Sequence, residues 1–341
     1  MKTKVPFNWY VGFGKMNEEV LSLDIRRIVT DSDLDGVVTG AILRRYWNDA
    51  EIIFGHPGEL RAGILDHLID DCTAVCDLPR HPQCGLSIDH HLSNRPEEDL
   101  NFEGVVVWDD APSAARIAYN ILSETIDLTD LEELLIWVDK FDSGGITKEE
   151  YLSKNSIFWL AKMVGINSDI ALYILESLQN GKSVESILTN DIIIPHLSER
   201  RSMQKRIEDL IDKKMIIVNR LAIVRFEDSG MRSNGYHITA KGGEGCDACI
   251  VIHGDVGSSF GQDGKYPVSA SFYTNSFIHK EGGIYDLTKM ATKFDPDGGG
   301  HANACGCRIK PLENGNLTIR DVELNDIEEN LYEWIKMWNN K

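Results

Sequence analysis

Five short apolar runs punctuate the first 110 residues: Ile25–Thr30, Glu51–Phe54, Thr73–Cys76, Leu86–Ile88 and Gly104–Trp108. The stretches between them carry helical spacing. That alternation marks a parallel sheet with crossover helices, because parallel neighbours cannot be joined by a tight turn. Helices are predicted over Val37–Trp47 and Gly58–Ile69, and Pro112 is placed at the first helical position of PSAARIAYNIL, where its missing N–H is harmless.

The texture changes along the chain. Residues 128–188 read as helical, with apolar residues three and four apart in LEELLIWV and ALYILESL. A polar, mixed-charge helix over 191–214 is expected to connect two domains. Beyond it Met215–Phe226, Ala248–His253 and Val268–Thr274 are β-like, which predicts a second, smaller α/β domain. The tail, 321–341, reads as an acidic amphipathic helix with Leu331, Trp334, Ile335 and Trp338 on one face. Docking onto the protein's own surface is the expected use of that face, ahead of a partner helix. With 341 residues there is room for two cores: an N-terminal domain over 1–190, a linker over 191–214, a second domain over 215–320 and the tail helix.

Composition excludes several classes of function. No stretch reaches the 18 or so apolar residues of a membrane span. The first twenty residues lack the continuous apolar core of a signal peptide, so a cytoplasmic location is expected. Seven scattered cysteines fit reduced thiols better than a disulfide framework. Cys246-Asp-Ala-Cys249 and Cys305-Gly-Cys307 have spacings that could hold zinc, but their β-like surroundings favour small buried hydrophobes. The net charge of −19 argues against tracking long nucleic acid, while leaving room for a small anionic substrate.

The chemistry-bearing residues fall at strand ends. The first run leads into Asp31-Ser-Asp33-Leu-Asp35-Gly36, the third ends at Asp77, and the fourth ends in Asp89-His90-His91. In an open parallel sheet the carboxyl ends of the strands line the ligand crevice, so the three clusters should converge. A lone Asp there is usually a helix cap. Several gathered carboxylates repel one another unless cations compensate them, which implies bound metal. Oxygen-rich ligation with an imidazole suits Mn²⁺ or Mg²⁺, and the number of groups is sufficient for two ions.

With these residues in place, the sequence resembles the DHH phosphoesterases. Asp89-His90-His91 in SIDHHLSNR matches the signature of that family, Asp33-Leu-Asp35-Gly36 resembles its first motif, and Asp77 in VCDLP its second. Ser113-Ala-Ala resembles the start of a helix that follows. Gly298-Gly299-Gly300-His301-Ala-Asn303 resembles the glycine loop of the associated DHHA1 domain. The matches span Thr30–Arg308. The resemblance implies an α/β fold with a parallel-sheet DHH domain, a helical linker and a smaller α/β DHHA1 domain, the active site lying in the cleft between them.

It also implies roles. Asp33 would hold one ion and Asp35 the other, Asp77 would bridge them, His90 would be a ligand, and His91 would act on the substrate phosphate. A last ligand is expected from LLIWVDKFDSGG, with Asp139 preferred and Asp142 second. Many relatives carry His where this chain has Asp31, which is expected to bind metal in its place, the other reading being a hydrogen bond to the loop. Gly299, Gly300, His301 and Asn303 are expected to bind substrate. The implied activity is Mn²⁺- or Mg²⁺-dependent hydrolysis of phosphodiester or phosphomonoester bonds in short oligonucleotides or small nucleotides. The rivals are a RecJ-like single-strand exonuclease and a non-catalytic partner protein. A homodimer is compatible with either, and no long duplex or membrane is expected as a partner. Pro267–Thr274 lacks the arginine with which similar proteins often grip their substrate.

Overall fold

The computed structural model describes residues 13–97, 102–227, 229–258, 266–280 and 282–341, with only the backbone of 13–16. The chain divides into two compact units, Met1–Ile146 with Ser153–Arg200, and Thr147–Leu152 with Arg201–Lys341.

The first unit is built on five parallel strands: β1 (Arg27–Asp31), β2 (Glu51–Gly55), β3 (Thr73–Cys76), β4 (Leu86–Asp89) and β5 (Val105–Trp108), in the order β2-β1-β3-β4-β5. β3 and β4 are buried along their whole length, which is why these segments read as continuous apolar runs rather than alternating ones. The chain leaves β1 for β2 on one side and returns as β3 on the other. This reversal opens a crevice between the carboxyl ends of β1 and β3.

Helix α1 (Phe13–Leu21) precedes the sheet, and α2 (Leu34–Arg44) follows β1. Asp33 caps α2, its Oδ1 accepting from the Gly36 N–H at 3.0 Å. Gly36 has to be glycine: a Cβ there would lie 2.2 Å from the Asp31 carbonyl oxygen. The predicted helix over Gly58–Ile69 shrinks to α3 (Pro57–Arg61), because Gly63 turns left-handed at φ 71° and ends it. Helix α4 (Ala114–Leu122) is capped by Ser113, whose side chain accepts from the Arg116 N–H, so Pro112 precedes the cap instead of opening the helix. Helices α5 (Glu132–Asp142), α6 (Lys148–Ser153), α7 (Ser156–Val164), α8 (Ser168–Gln179) and α9 (Val184–Leu188) fill the region read as helical. α10 (Ile194–Lys214) is the polar helix, and the division between the units falls inside it.

The second unit carries a mixed sheet of β6 (Ile216–Val218), β7 (Leu221–Arg225), β8 (Ala248–His253), β9 (Ser269–Thr274), β10 (Gly299–His301) and β11 (Ala304–Arg308), in the order β10-β11-β9-β8-β7-β6. The single β-like stretch Met215–Phe226 is in fact a hairpin. Asn219 and Arg220 both take positive φ, at 47° and 67°, which suits a tight two-residue turn. Helices α11 (Gly235–Gly242) and α12 (Thr288–Ala291) pack with this sheet.

Alternation along β8 sorts its side chains into two cores. Ala248, Ile250 and Ile252 join Phe272, Cys305 and Cys307 in one, while Cys249 and Val251 join Cys246, Ile207 and Ile211 in the other. The four cysteines therefore lie in separate apolar clusters as free thiols, and among the described residues they form no metal-spaced group. The tail becomes α13 (Leu324–Asn339), docked on the first of these cores through Leu331, Trp334 and Trp338. Trp334 donates its indole N–H to the Met290 carbonyl at 2.9 Å, and Trp338 donates to Asn219 at 2.9 Å. Asp326, fully buried, receives the Leu312 N–H at 2.9 Å, the Glu323 N–H at 2.7 Å and the Arg320 guanidinium.

No described helix is long and apolar enough to cross a membrane. Truncating a buried Trp leaves a large cavity, so Trp334→Ala should destabilise the second unit by about 3–5 kcal/mol. A lower urea midpoint is expected for that unit. An unaltered midpoint would show that the docked helix contributes little.

Candidate metal centre

The site is assembled at the switch of strand order, where the loop after β1, the turn after β3 and the end of β4 meet. Asp35 lies in the first turn of α2 and is almost wholly buried. Its two carboxylate oxygens accept the Ala114 N–H at 2.7 Å and the Ala115 N–H at 2.8 Å, at the start of α4. The small residues of Ser113-Ala-Ala let the helix end come this close. Free N–H groups and the positive end of the helix dipole favour the anion there.

Asp77 follows β3 in the left-handed region, at φ 56°, and its backbone N–H donates to the Ile88 carbonyl at 2.9 Å. A non-glycine residue held in that conformation is strained, and the fold bears the strain to aim this carboxylate. The His90 and His91 rings lie side by side, their centres 4.4 Å apart, and turn to different partners. The His90 Nδ1 lies 3.1 Å from the Ala111 carbonyl, which turns Nε2 inward: 3.0 Å from Asp142 and 3.7 Å from both Asp35 and Asp77. The His91 Nδ1 lies 2.8 Å from Asp89 Oδ1, which also accepts the backbone N–H groups of His90 and His91. Asn94 donates to the other Asp89 oxygen at 2.6 Å. Asp89, named above only as part of a signature, is thus the residue that shapes the turn. Its signal in the sequence was the Asn five positions on.

Asp35, His90 and Asp142 form one group spaced to share an ion, and Asp77, His90 and His91 form another. Asp139 belongs to neither, which corrects the preference for it over Asp142. Its carboxylate is taken by Arg116, through Nε at 3.0 Å and a second guanidinium nitrogen, and by the Ser113 hydroxyl at 2.7 Å. One helical turn separates the two aspartates on the same face of α5, so spacing could not choose between them. Asp31 and Asp33 are absent from both groups. Asp31 Oδ1 accepts the Ser32 N–H at 2.6 Å, and Asp33 caps α2. Both still contribute charge to the Asp77 environment.

The electrostatics call for cations. Burial, then Asp142, push the Asp35 carboxyl up to about 7 against the pull of the α4 amides. Burial, then Asp35 and Asp33, hold Asp77 well above the usual carboxylate range. Burial opposes charge on His90, yet Asp142 and Asp35 outweigh it and raise the imidazole to about 9. His91 is raised chiefly by its bond to Asp89. Asp77 Oδ1 and His90 Nε2 are buried without a well-formed hydrogen bond. A buried, unpartnered carboxylate oxygen beside an imidazole nitrogen and a hard, oxygen-rich set fits a divalent ion of the Mn²⁺ or Mg²⁺ type.

Other sequence candidates lie elsewhere. Gly299 and Gly300 form β10 at φ 155° and 135°, and a Cβ on Gly300 would lie 2.7 Å from the Ala304 carbonyl, so the hairpin itself requires glycine. His301 is exposed at its tip. The Asn303 side-chain oxygen accepts the Gly283 N–H at 2.8 Å and the Thr274 hydroxyl at 3.2 Å, so this amide braces the loop. His81 is buried and its Nε2 lies 3.2 Å from Asp66, while His56 caps α3.

Metal binding separates the two aspartates of α5. Asp142→Asn should weaken Mn²⁺ binding by tenfold or more in calorimetry, on the order of a lost charged ligand contact. Asp139→Asn should leave Mn²⁺ affinity nearly unchanged. The reverse ranking would restore Asp139 as the ligand.

No protein-family model and no curated protein sequence matches the chain. Among solved structures, the pGpG-specific phosphodiesterase PggH from Vibrio cholerae superposes with a TM-score of 0.73 at 20% identity, over 92% of this chain and 99% of that one. A structure of the exonuclease RecJ bound to manganese aligns over 96% of this chain and 94% of that one, at 13% identity and a TM-score of 0.48, too low to carry weight. The order of β1 to β5 and the likeness over nearly the whole chain agree: the protein shares the fold of that phosphodiesterase.

Proposed function

We propose that the protein is a divalent-metal-dependent phosphoesterase acting on short oligonucleotides or small nucleotides. The observation that carries this reading is the convergence of Asp35, Asp77, His90 and Asp142 in ion-spaced groups, with Asp77 Oδ1 buried and unpartnered, at the switch point of the sheet. The fold likeness to a phosphodiesterase specific for pGpG, a dinucleotide, supports a short substrate, as does the net charge of −19.

In this reading Asp35, His90 and Asp142 would hold one ion, while Asp77 would bridge to a second with Asp33, and with Asp31 near it. When bound, divalent ions supply activation of the attacking water and charge stabilisation of the phosphoryl oxygens. The chain's own groups do the rest. The α4 amides hold the Asp35 carboxylate in place and oppose its protonation. Asp89 fixes the His91 ring through Nδ1, leaving Nε2 to face solvent and substrate on a side chain that is 46% exposed. The raised pKa of His91 favours the imidazolium, which can donate to a phosphate oxygen and protonate the departing alkoxide. The complete set of ligand groups favours an enzyme over a non-catalytic partner.

The test is product release with Mn²⁺ on one panel: pAp, pGpG, labelled oligonucleotides of increasing length, a cyclic dinucleotide and polyphosphate. Activity should fall steeply with length. Processive degradation of long strands would instead identify a single-strand exonuclease, and no turnover of any substrate would overturn the enzyme reading. His91→Ala should retain Mn²⁺ binding yet lose about 10²-fold or more in kcat, as expected for a lost general acid. Unchanged kcat would remove His91 from the chemistry.

A further inference from the structure

We propose that Arg95 is a substrate-contacting residue, its guanidinium binding a substrate phosphate beside His91. The proposal rests on the phosphoesterase reading of the site and extends it to a phosphate grip.

Arg95 closes the short turn Leu92–Asn94 that follows His91, its backbone N–H donating to the Leu92 carbonyl. Its guanidinium carbon lies 5.2 Å from the centre of the Trp108 ring. Trp108 is the register partner of Asp89 across β4 and β5, and its indole N–H donates to the His91 carbonyl at 2.9 Å. One ring therefore separates the cation from the backbone of His91. This turn and the end of β5 are also adjacent to the carboxyl end of β4, where the ligand groups gather.

The chemistry of the pair fits a phosphate. A guanidinium seated over an aromatic ring is held through its face, which leaves its in-plane N–H donors free to take two phosphate oxygens at once. Several other arginines of this unit are spent on carboxylates, among them Arg27 on Glu51, Arg45 on Asp130 and Arg116 on Asp139. Arg95 is exposed and has no ion-pair partner among the described residues, in a chain with 54 acidic side chains against 35 basic ones. β9 carries no arginine.

Steady-state kinetics of the full-length, Mn²⁺-loaded protein on pGpG tests this. Arg95→Ala should raise KM about tenfold or more, as for a lost charge-assisted contact, with kcat within about threefold. Arg95→Lys should recover only part of the loss, since an ammonium cannot pair bidentately. Mn²⁺ affinity and melting temperature should match the unsubstituted protein, which a merely structural role would not predict. An unaltered KM, or a fall in kcat alone, would overturn the proposal. If the unsubstituted protein hydrolyses nothing in the panel, the phosphoesterase reading fails by itself, and Arg95 is judged by the anisotropy of a labelled 5′-phosphorylated dinucleotide. Binding at least tenfold weaker in Arg95→Ala would sustain it; equal affinities, or no binding by either protein, would sink it.

Discussion

The contact on which the candidate site depends is the capture of the Asp35 carboxylate by the first amides of α4. It joins the helix after β1 to the helix after β5, so the two ends of the sheet's crossover pattern meet over the crevice. Asp35 is deeply buried and crowded by other acids, and an isolated charge in that place would be prohibitive. Two short N–H donors at a helix terminus offset part of that cost. What remains uncompensated is burial and, after it, the mutual repulsion of Asp35, Asp77 and Asp142, and the raised pKa values of the first two express both. Cations are the natural complement.

Backbone geometry supports the same end. Gly36 lets the chain turn against the Asp31 carbonyl without a side chain in the way, and Asp77 is held left-handed by its place after a buried strand. Asp89 gathers three donors around one oxygen and orients the half-exposed His91 beside the largely buried His90. Two adjacent histidines thereby acquire different tasks. One faces the carboxylates with a buried nitrogen, and the other meets solvent with its ring already oriented.

Much of this was legible in the chain. β3 and β8 coincide with the residues read as strands, because buried strands leave short, uninterrupted apolar runs. The tail helix was readable from its stripe of Leu331, Trp334 and Trp338, which the second unit does bury. Local conformation was harder. Gly63 ends α3 early, and Asn219-Arg220 folds one β-like stretch into a hairpin, since in each case a left-handed turn overrides the apolar pattern. Asp139 and Asp142 share a helix face, so only the position of Arg116 on α4 reveals which carboxylate is already taken.

The sequence by itself determined the secondary-structure alternation and the residue types gathered at strand ends, because burial periodicity and motif order are local properties. The tertiary structure decided which of those residues share an ion-sized space. It put Asp142 against His90, tied Asp139 to Arg116, left Asp31 and Asp33 outside the ligand-spaced groups and seated Arg95 on Trp108. Each of these depends on contacts between segments far apart in the chain, set by the order in which the strands pair and the way the helices pack over them.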